Sequence, residues 1–245
     1  MEKRINKCLA AAFALALLFG GIAFLLRSAP HSSGAGGAFT FPLLEYLNIE
    51  LQRLDVRFIP YDKEEITVEY KNDRPLDFEV GDNKLTITEN NNFVVSLFAG
   101  KRSEFGVKIY LPRTVYRDIT IYTGTGNIDV DEIDCNKLSA VTESGDISVG
   151  NMGYLASLST TSGNIRLDVG YIVHGTSILN REGNIELTVP SDSSVAVDFR
   201  TKDGECKTDL MSGQVYGDYL YSFNGGRKQI EVTAEHGTLT INERK

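Results

Sequence analysis

Five copies of a glycine-centred corner, at nearly constant spacing, govern what this chain can fold into. They read TGTGNIDV, TESGDISV, TSGNIRL, REGNIEL and KDGECKT, with aligned glycines Gly126, Gly145, Gly163, Gly183 and Gly204. The steps of 19, 18, 20 and 21 residues are the period of a solenoid that stacks one supersecondary unit per repeat. Two residues past the glycines stand Ile128, Ile147, Ile165, Ile185 and Cys206, and four past stand Val130, Val149, Leu167, Leu187 and Thr208. Between them lie Asp129, Ser148, Arg166, Glu186 and Lys207. Apolar and polar positions thus alternate, as in a strand with one buried face. Ahead of each glycine the alternation recurs, as in Leu138/Ala140, Ala156/Leu158, Thr176/Ile178 and Val197/Phe199. Each repeat holds two short strands joined at a corner. The expected fold class is all-β, a single-stranded parallel β-helix or β-solenoid with 18–21-residue repeats.

The corners carry their own chemistry. Asn127, Asp146, Asn164, Asn184 and Glu205 follow the glycines, and Thr123, Thr142, Thr160, Asn180 and Thr201 precede them by three. Glycine accepts positive φ at low cost, and Asn or Asp bonds nearby backbone, so tight turns follow. Stacked in register, these residues form polar ladders whose role is structural. The pattern extends forward to Ile119 and Ile121, and returns late as Ile230, Val232, Gly237, Leu239 and Ile241. A longer correspondence joins VKIYLPRTVYRDITIYTGTGNI to IELTVPSDSSVAVDFRTKDGEC, with Pro112 and Pro190 each 14 residues ahead of a corner glycine. The 33-residue gap between Gly204 and Gly237 holds SGQVYGDYLYSFNGGRK, read as an inserted hairpin or loop. The stretch around Leu43 to Leu54 and this late insertion are the expected end caps.

NIELQRLDVRFIPYDKEEITVEY, NKLTITEN, VKIYLP, the serial SGDI/SGNI corners and a closing GTLTI resemble the bacterial "putative adhesin" domains of unknown function. The resemblance spans about residues 45–245. It implies a repetitive β-solenoid, often held to the membrane by an N-terminal segment, and it transfers no catalytic residue.

The N-terminus points to a compartment. Lys3, Arg4 and Lys7 precede an uncharged run from Cys8 to Leu26, 19 residues long, and Arg27 follows. A helix of that length approaches the roughly 30 Å hydrocarbon core. Residues 1–27 read as a signal anchor, with a cleaved signal peptide and a secreted chain as the alternative. The charge bias places the N-terminus inside and the remainder outside. Residues 28–40 read as a Ser/Gly/Ala tether, and 41–245 as the solenoid.

Beyond residue 27 the chain keeps 21 of its 25 Lys and Arg and 32 of its 33 Asp and Glu, a balance of −11. Such a surface disfavours nucleic acid. Cys206, in a core isoleucine position, is expected as a buried thiol, with a Cys135–Cys206 bridge as a lesser alternative. His31, His174 and His236 show no metal spacing, and no nucleophile–base motif occurs. Asp129, Asp131, Glu132 and Asp134 could hold calcium but lack glycine punctuation; a solvated corner is the simpler reading.

The function expected is therefore that of a non-catalytic, membrane-anchored, extracytoplasmic binding protein with no cofactor and no metal. Its partner would be an envelope polymer or another protein. Tyr216, Tyr219, Tyr221 and Phe223 are the candidate recognition residues, against a role in capping the solenoid. Two alternatives stay open. One is a parallel β-helix enzyme acting on polysaccharide, with Asp129, Glu186 and Arg166 on one outward face. The other is self-association into a scaffold through exposed strand edges.

Overall fold

The structure is a computed structural model that describes residues 36–71, 75–90, 106–152, 155–170, 175–192, 194–208, 215–216, 219–223 and 228–244. The anchor expected at 1–27 and most of the tether lie outside the described residues. Among the described residues, no helix is long and apolar enough to cross a membrane.

Every described element is a strand. The chain enters through β1 (Gly37–Pro42), which takes in residues 37–40 of the expected tether, and continues through β2 (Tyr46–Leu51) and β3 (Val56–Tyr61). Then come β4 (Glu65–Tyr70), β5 (Leu76–Gly81), β6 (Lys84–Glu89) and β7 (Val107–Pro112). The glycine-cornered repeats are β8 (Asp118–Thr123) with β9 (Ile128–Val130), and β10 (Lys137–Ser144) with β11 (Ile147–Met152). They continue as β12 (Leu155–Ser162) with β13 (Ile165–Val169), β14 (Thr176–Glu182) with β15 (Ile185–Pro190), and β16 (Val195–Thr201) with β17 (Glu205–Thr208). Last are β18 (Val215–Tyr216), β19 (Tyr219–Phe223), β20 (Lys228–His236) and β21 (Thr238–Arg244).

These strands form two sheets, ordered β1-β4-β7-β3-β9-β11-β13-β15-β21-β17-β18 and β19-β16-β20-β14-β12-β10-β8-β2-β6-β5. Each coil contributes one strand to each sheet, and neighbouring coils pair in parallel, in the register that the sequence alignment predicts. Ile147 lies opposite Ile128 and Ile165, and Ala140 opposite Ile121 and Leu158. The alternating apolar residues fill the space between the sheets, with Ile128, Ile147, Ile165 and Ile185 all buried. A period-2 pattern can bury only one face, so both sheets turn their polar residues outward.

The stacking order departs from the expected one at both ends. Strands β6 and β7 lie outside β2 and β3, and the last pair, β20 and β21, lies between β14/β15 and β16/β17. The chain steps over one coil twice, from β7 to β8 and from β15 to β16, a span of about 9.6 Å, or two strand spacings. Pro112 and Pro190 end the strands that precede these two crossovers. The sequence correspondence around the two prolines is therefore the same coil-skipping connection used twice. The Leu43–Leu54 stretch is not a cap, because β2 within it is the third strand from the sheet end.

The caps are antiparallel strands. At one end β1 and β4 continue from β7 and β5 from β6; at the other β18 pairs with β17 and β19 with β16. Phe39, Phe41 and Phe78 close the first end, with ring centroids 4.9 and 5.2 Å apart for the pairs with Phe78.

The glycine column has a reason beyond turn geometry. A Cβ at Gly145 would stand 2.2 Å from the carbonyl oxygen of Gly126, and at Gly163, Gly183 and Gly237 it would stand 2.0 Å from the carbonyl of the coil before. Positive φ occurs at Gly163, Gly183 and Gly237 but not at Gly126, Gly145 or Gly204, so close approach of stacked backbones is the common cause. Leu54 fills the same position one coil earlier. The coil before it joins its strands through a 17-residue connection rather than a tight corner. That corner is held differently: buried Glu89 accepts hydrogen bonds from the backbone N–H of Gln52 at 2.7 Å and Arg53 at 3.0 Å.

Two ladders brace the corners. On the exposed side, Asp55 Oδ1 accepts from the N–H of Asn127 at 2.7 Å, Asn127 Oδ1 from Asp146 at 2.9 Å, and Asp146 Oδ1 from Asn164 at 2.7 Å. Asn164 Oδ1 accepts from Asn184 and Asn184 Oδ1 from Thr238, each at 3.1 Å. On the buried side, Thr142 and Thr160 donate to the carbonyls of Gly126 and Gly145 at 3.0 and 3.1 Å, and Asn180 Nδ2 donates to Gly163 at 3.0 Å. Asn180 is fully buried and its Oδ1 has no partner. Asn180→Thr restores the threonine pattern and removes that orphaned acceptor. The variant should be more stable by about 1 kcal/mol, read as a higher melting temperature.

Cys135 and Cys206 are both free and buried, in different coils, so the alternative of a bridge between them is not realised. Cys206 sits opposite Leu239 in the core, as its repeat position requires. Burial pushes the Cys135 thiol up to about 12. In the unfolded chain a thiol loses its proton near pH 8.5. The raised folded value means that stability is constant below that pH and falls as pH rises towards 12, because the unfolded state deprotonates first. Cys135→Ala should flatten this alkaline loss in melting curves taken between pH 7 and about 11.

Candidate functional site

The two outward faces of the sheets are the surfaces that the fold offers. On the eleven-stranded sheet, register aligns Glu69, Lys108, Arg57, Asp129, Ser148, Arg166, Glu186, Thr240 and Lys207 across consecutive strands. The expected plus-three row is thus real, with Thr240 interposed before Lys207. Its charges pair with one another or with adjacent rows. Arg57 meets Asp129 and Asp131, both at 3.3 Å, Arg166 meets Glu186 at 3.8 Å, and Lys207 pairs with Glu205. Arg244 joins Asp168 at 3.0 Å beside this row. Such exposed pairs each contribute a few tenths of a kcal/mol.

Asp129 and Glu186 are three strands apart, about 14 Å along the row. Paired carboxylates that cleave glycosides lie roughly 5–10 Å apart across a cleft, so this row lacks the geometry expected of the polysaccharide-cleaving alternative. Partial burial raises the Asp129 carboxyl above its ordinary value, against the lowering effect of Arg57. The acidic corner does not gather around a cation. Arg57 occupies Asp129 and Asp131, while Glu132 accepts from Asn151 Nδ2 at 2.9 Å. Among the described residues, no three His, Cys, Asp or Glu side chains converge as metal ligands. His236 is an exposed corner residue whose Nδ1 lies 2.6 Å from Asp203 Oδ1. His31 and His174 lie outside the described residues.

The ten-stranded sheet has a different outward face. Across β8, β10, β12 and β14 one row reads Thr120, Ser139, Ser157, Ser177, and the next reads Tyr122, Val141, Ser159, Leu179. None of the eight carries a charge. The rows continue into β2 and β6 as Asn48 and Thr86, and as Glu50 and Thr88. On the other side they run into Glu231 and Thr233, then Asp198 and Arg200. Sequence reasoning singled out the other sheet's row and missed this one. Its signal was present in the polar positions ahead of each glycine, where serine and threonine replace charge.

The tyrosine-rich insertion forms the far cap. Tyr216 pairs with Glu205 across β18, and Tyr219, Tyr221 and Phe223 in β19 lie opposite the core residues Phe199, Val197 and Val195. This backbone placement is that of a closing strand, and Leu220 between them is exposed. An open depression of about 520 Å³ lies at the first crossover, lined by Leu43, Tyr61, Lys63, Arg113 and neighbours. Arg113 on its wall already pairs with Asp62 at 3.3 Å and Glu132 at 3.8 Å.

Coils of this length, with paired glycine corners and antiparallel ends, match one family model twice along the chain, over residues 44–171 and 153–242. The chain belongs to the Toastrack DUF4097 family. Solved structures share the Toastrack architecture. One, described as a putative cell adhesion protein from Clostridium sporogenes, is 14% identical with a TM-score of 0.52, over 85% of this chain and 100% of its own. A second, described as a putative adhesin from Bacteroides fragilis, is 14% identical with a TM-score of 0.47, over 85% of this chain and 97% of its own. A third, described as a putative lipid binding protein from Parabacteroides distasonis, is 14% identical with a TM-score of 0.27, over 86% and 98%. No curated protein matches this Toastrack chain. At these identities the likeness is one of fold.

Proposed function

We propose that this Toastrack chain is a non-catalytic binding protein of the cell envelope, held by its N-terminal segment with the solenoid on the outer side of the membrane. One observation carries the reading. The solenoid offers two broad outward faces, and the charged groups named on them are bound to each other rather than turned into a cleft. The apolar run from Cys8 to Leu26 with its positive flank, and the −11 balance of the remainder, support an anchored domain facing outward. The adhesion name given to the Clostridium sporogenes structure points the same way. The partner class is an envelope polymer or a protein on an adjoining surface. Self-assembly into a scaffold is disfavoured by the antiparallel strands that close both ends of the stack.

The experiment uses the full chain with a C-terminal tag. Protease added to intact cells should remove the tag while an N-terminal fragment stays in the membrane. Release of a chain that begins after residue 27 would replace the anchor with a cleaved signal. A tag that stays protected until cells are lysed would overturn the outward placement. Detergent-solubilised chain should also bind isolated envelopes saturably, and failure to do so would remove the binding role.

A further inference from the structure

From the uncharged outward face on β8, β10, β12 and β14, we infer that this face docks a neutral polysaccharide strand. The inference rests on the envelope-binding reading above and names its partner chemistry. The region beyond residue 27 carries a balance of −11, yet eight adjacent outward positions hold no charge. Among the described residues, the hydroxyls of Ser139, Ser157, Ser159 and Ser177 are not engaged by other side chains, so they remain available to an incoming polar group. They repeat at steps of about 4.8 Å on a flat support. Tyr122 and Leu179 add apolar surface beside them, and Leu179 is 46% exposed. A sugar chain presents the matching combination of hydroxyls and C–H faces without charge to desolvate.

Charge and area separate this occupant from the others. A polyanionic polymer would meet the acidic remainder of the domain at short range. A second copy of the chain needs about 800 Å² per partner for a stable interface. Four strands by two outward positions supply only about 250 Å². A narrow flat strip suits a polymer that gains affinity by touching many repeats.

The test is co-sedimentation of the detergent-solubilised full chain with insoluble chitin and cellulose. Saturable binding that survives high salt is expected, because no ion pair is involved. Ser157→Glu with Ser177→Glu should weaken it by about tenfold or more, since an unpaired carboxylate must be desolvated. Ser148→Glu, outward on the other sheet, should leave it unchanged. Equal weakening by Ser148→Glu, or none by the double variant, overturns the inference, as does a dimer that the double variant abolishes. Absence of sedimentation with both polymers overturns it too. Saturable binding to isolated envelopes in that case would leave the wider envelope-binding role standing.

Discussion

Gly183→Ala should destabilise the solenoid by roughly 3–5 kcal/mol, among the largest effects that a single methyl group can have. Two independent costs coincide at this corner. The backbone is at φ +130°, where a side chain is strained, and the added Cβ would stand 2.0 Å from the Gly163 carbonyl oxygen. That oxygen is also the acceptor for Asn180 Nδ2, so moving it disturbs the buried ladder as well. Backbone stacked on backbone cannot yield as a flexible side chain does. With about 200 folded residues, each kcal/mol shifts the midpoint by roughly 2–4 °C, so a fall of about 10 °C is expected. Gly81→Ala is the control, because nothing lies within 4 Å of a Cβ there. Its midpoint should move by about 1 °C or less. Similar shifts for the two variants would mean that the glycine column is not packed as described.

Tyr116→Ala should cost about as much, roughly 3–5 kcal/mol. Tyr116 lies in the first coil-skipping connection and is only 1% exposed. Its ring fills space that no neighbouring strand covers, since the crossover passes over an intervening coil. Its backbone pairs with Asp134 and Asn136, each at 2.8 Å, and its hydroxyl donates to the Pro112 carbonyl at 3.2 Å. Tyr116→Phe keeps the ring and loses only that bond, so about 1 kcal/mol is expected. The two variants also separate under alkali. Burial raises the Tyr116 hydroxyl well above the ordinary tyrosine value, so the unfolded chain ionises first as pH passes about 10. Stability from this group is intact below that pH and declines above it. Tyr116→Phe should lose that decline, as seen in denaturant midpoints measured at rising pH.

The repeats were legible because one strand face must be apolar and a corner between stacked backbones must be bare. Ile128, Ile147, Ile165 and Ile185 therefore announced both the coils and their register. The glycines announced the corners, although turn conformation alone is too narrow a reason for them: Gly126 and Gly145 need no positive φ but have no room for a Cβ. Coil order was harder to read. Hydrophobic alternation says which residues face inward and nothing about which coil is the neighbour, so β20 and β21 read as a continuation when they are an insertion. Pro112 and Pro190, at the same distance ahead of Gly126 and Gly204, were the trace of the two skipped coils. The Leu43–Leu54 stretch misled for a related reason. Its corner residue is Leu54 rather than glycine, so it resembled an end rather than an interior strand. The uncharged face was overlooked because the absence of charge at Ser139, Ser157 and Ser177 becomes a surface only once these residues are stacked.

The stack in its non-sequential order creates both the closed ends and the faces, and engineered disulfides test that order most directly. Ser177 lies opposite Glu231 in the adjacent coil, while Asp198 lies one coil further, opposite Glu231. Cα atoms one strand spacing apart, at about 4.8 Å, can be bridged, whereas those at about 9.6 Å cannot. With Cys8 replaced, mild oxidation of Ser177→Cys/Glu231→Cys should form an intramolecular disulfide, and Ser177→Cys/Asp198→Cys should remain reduced. Bridging of the second pair in place of the first would mean that the coils stack in sequence order and would contradict the account.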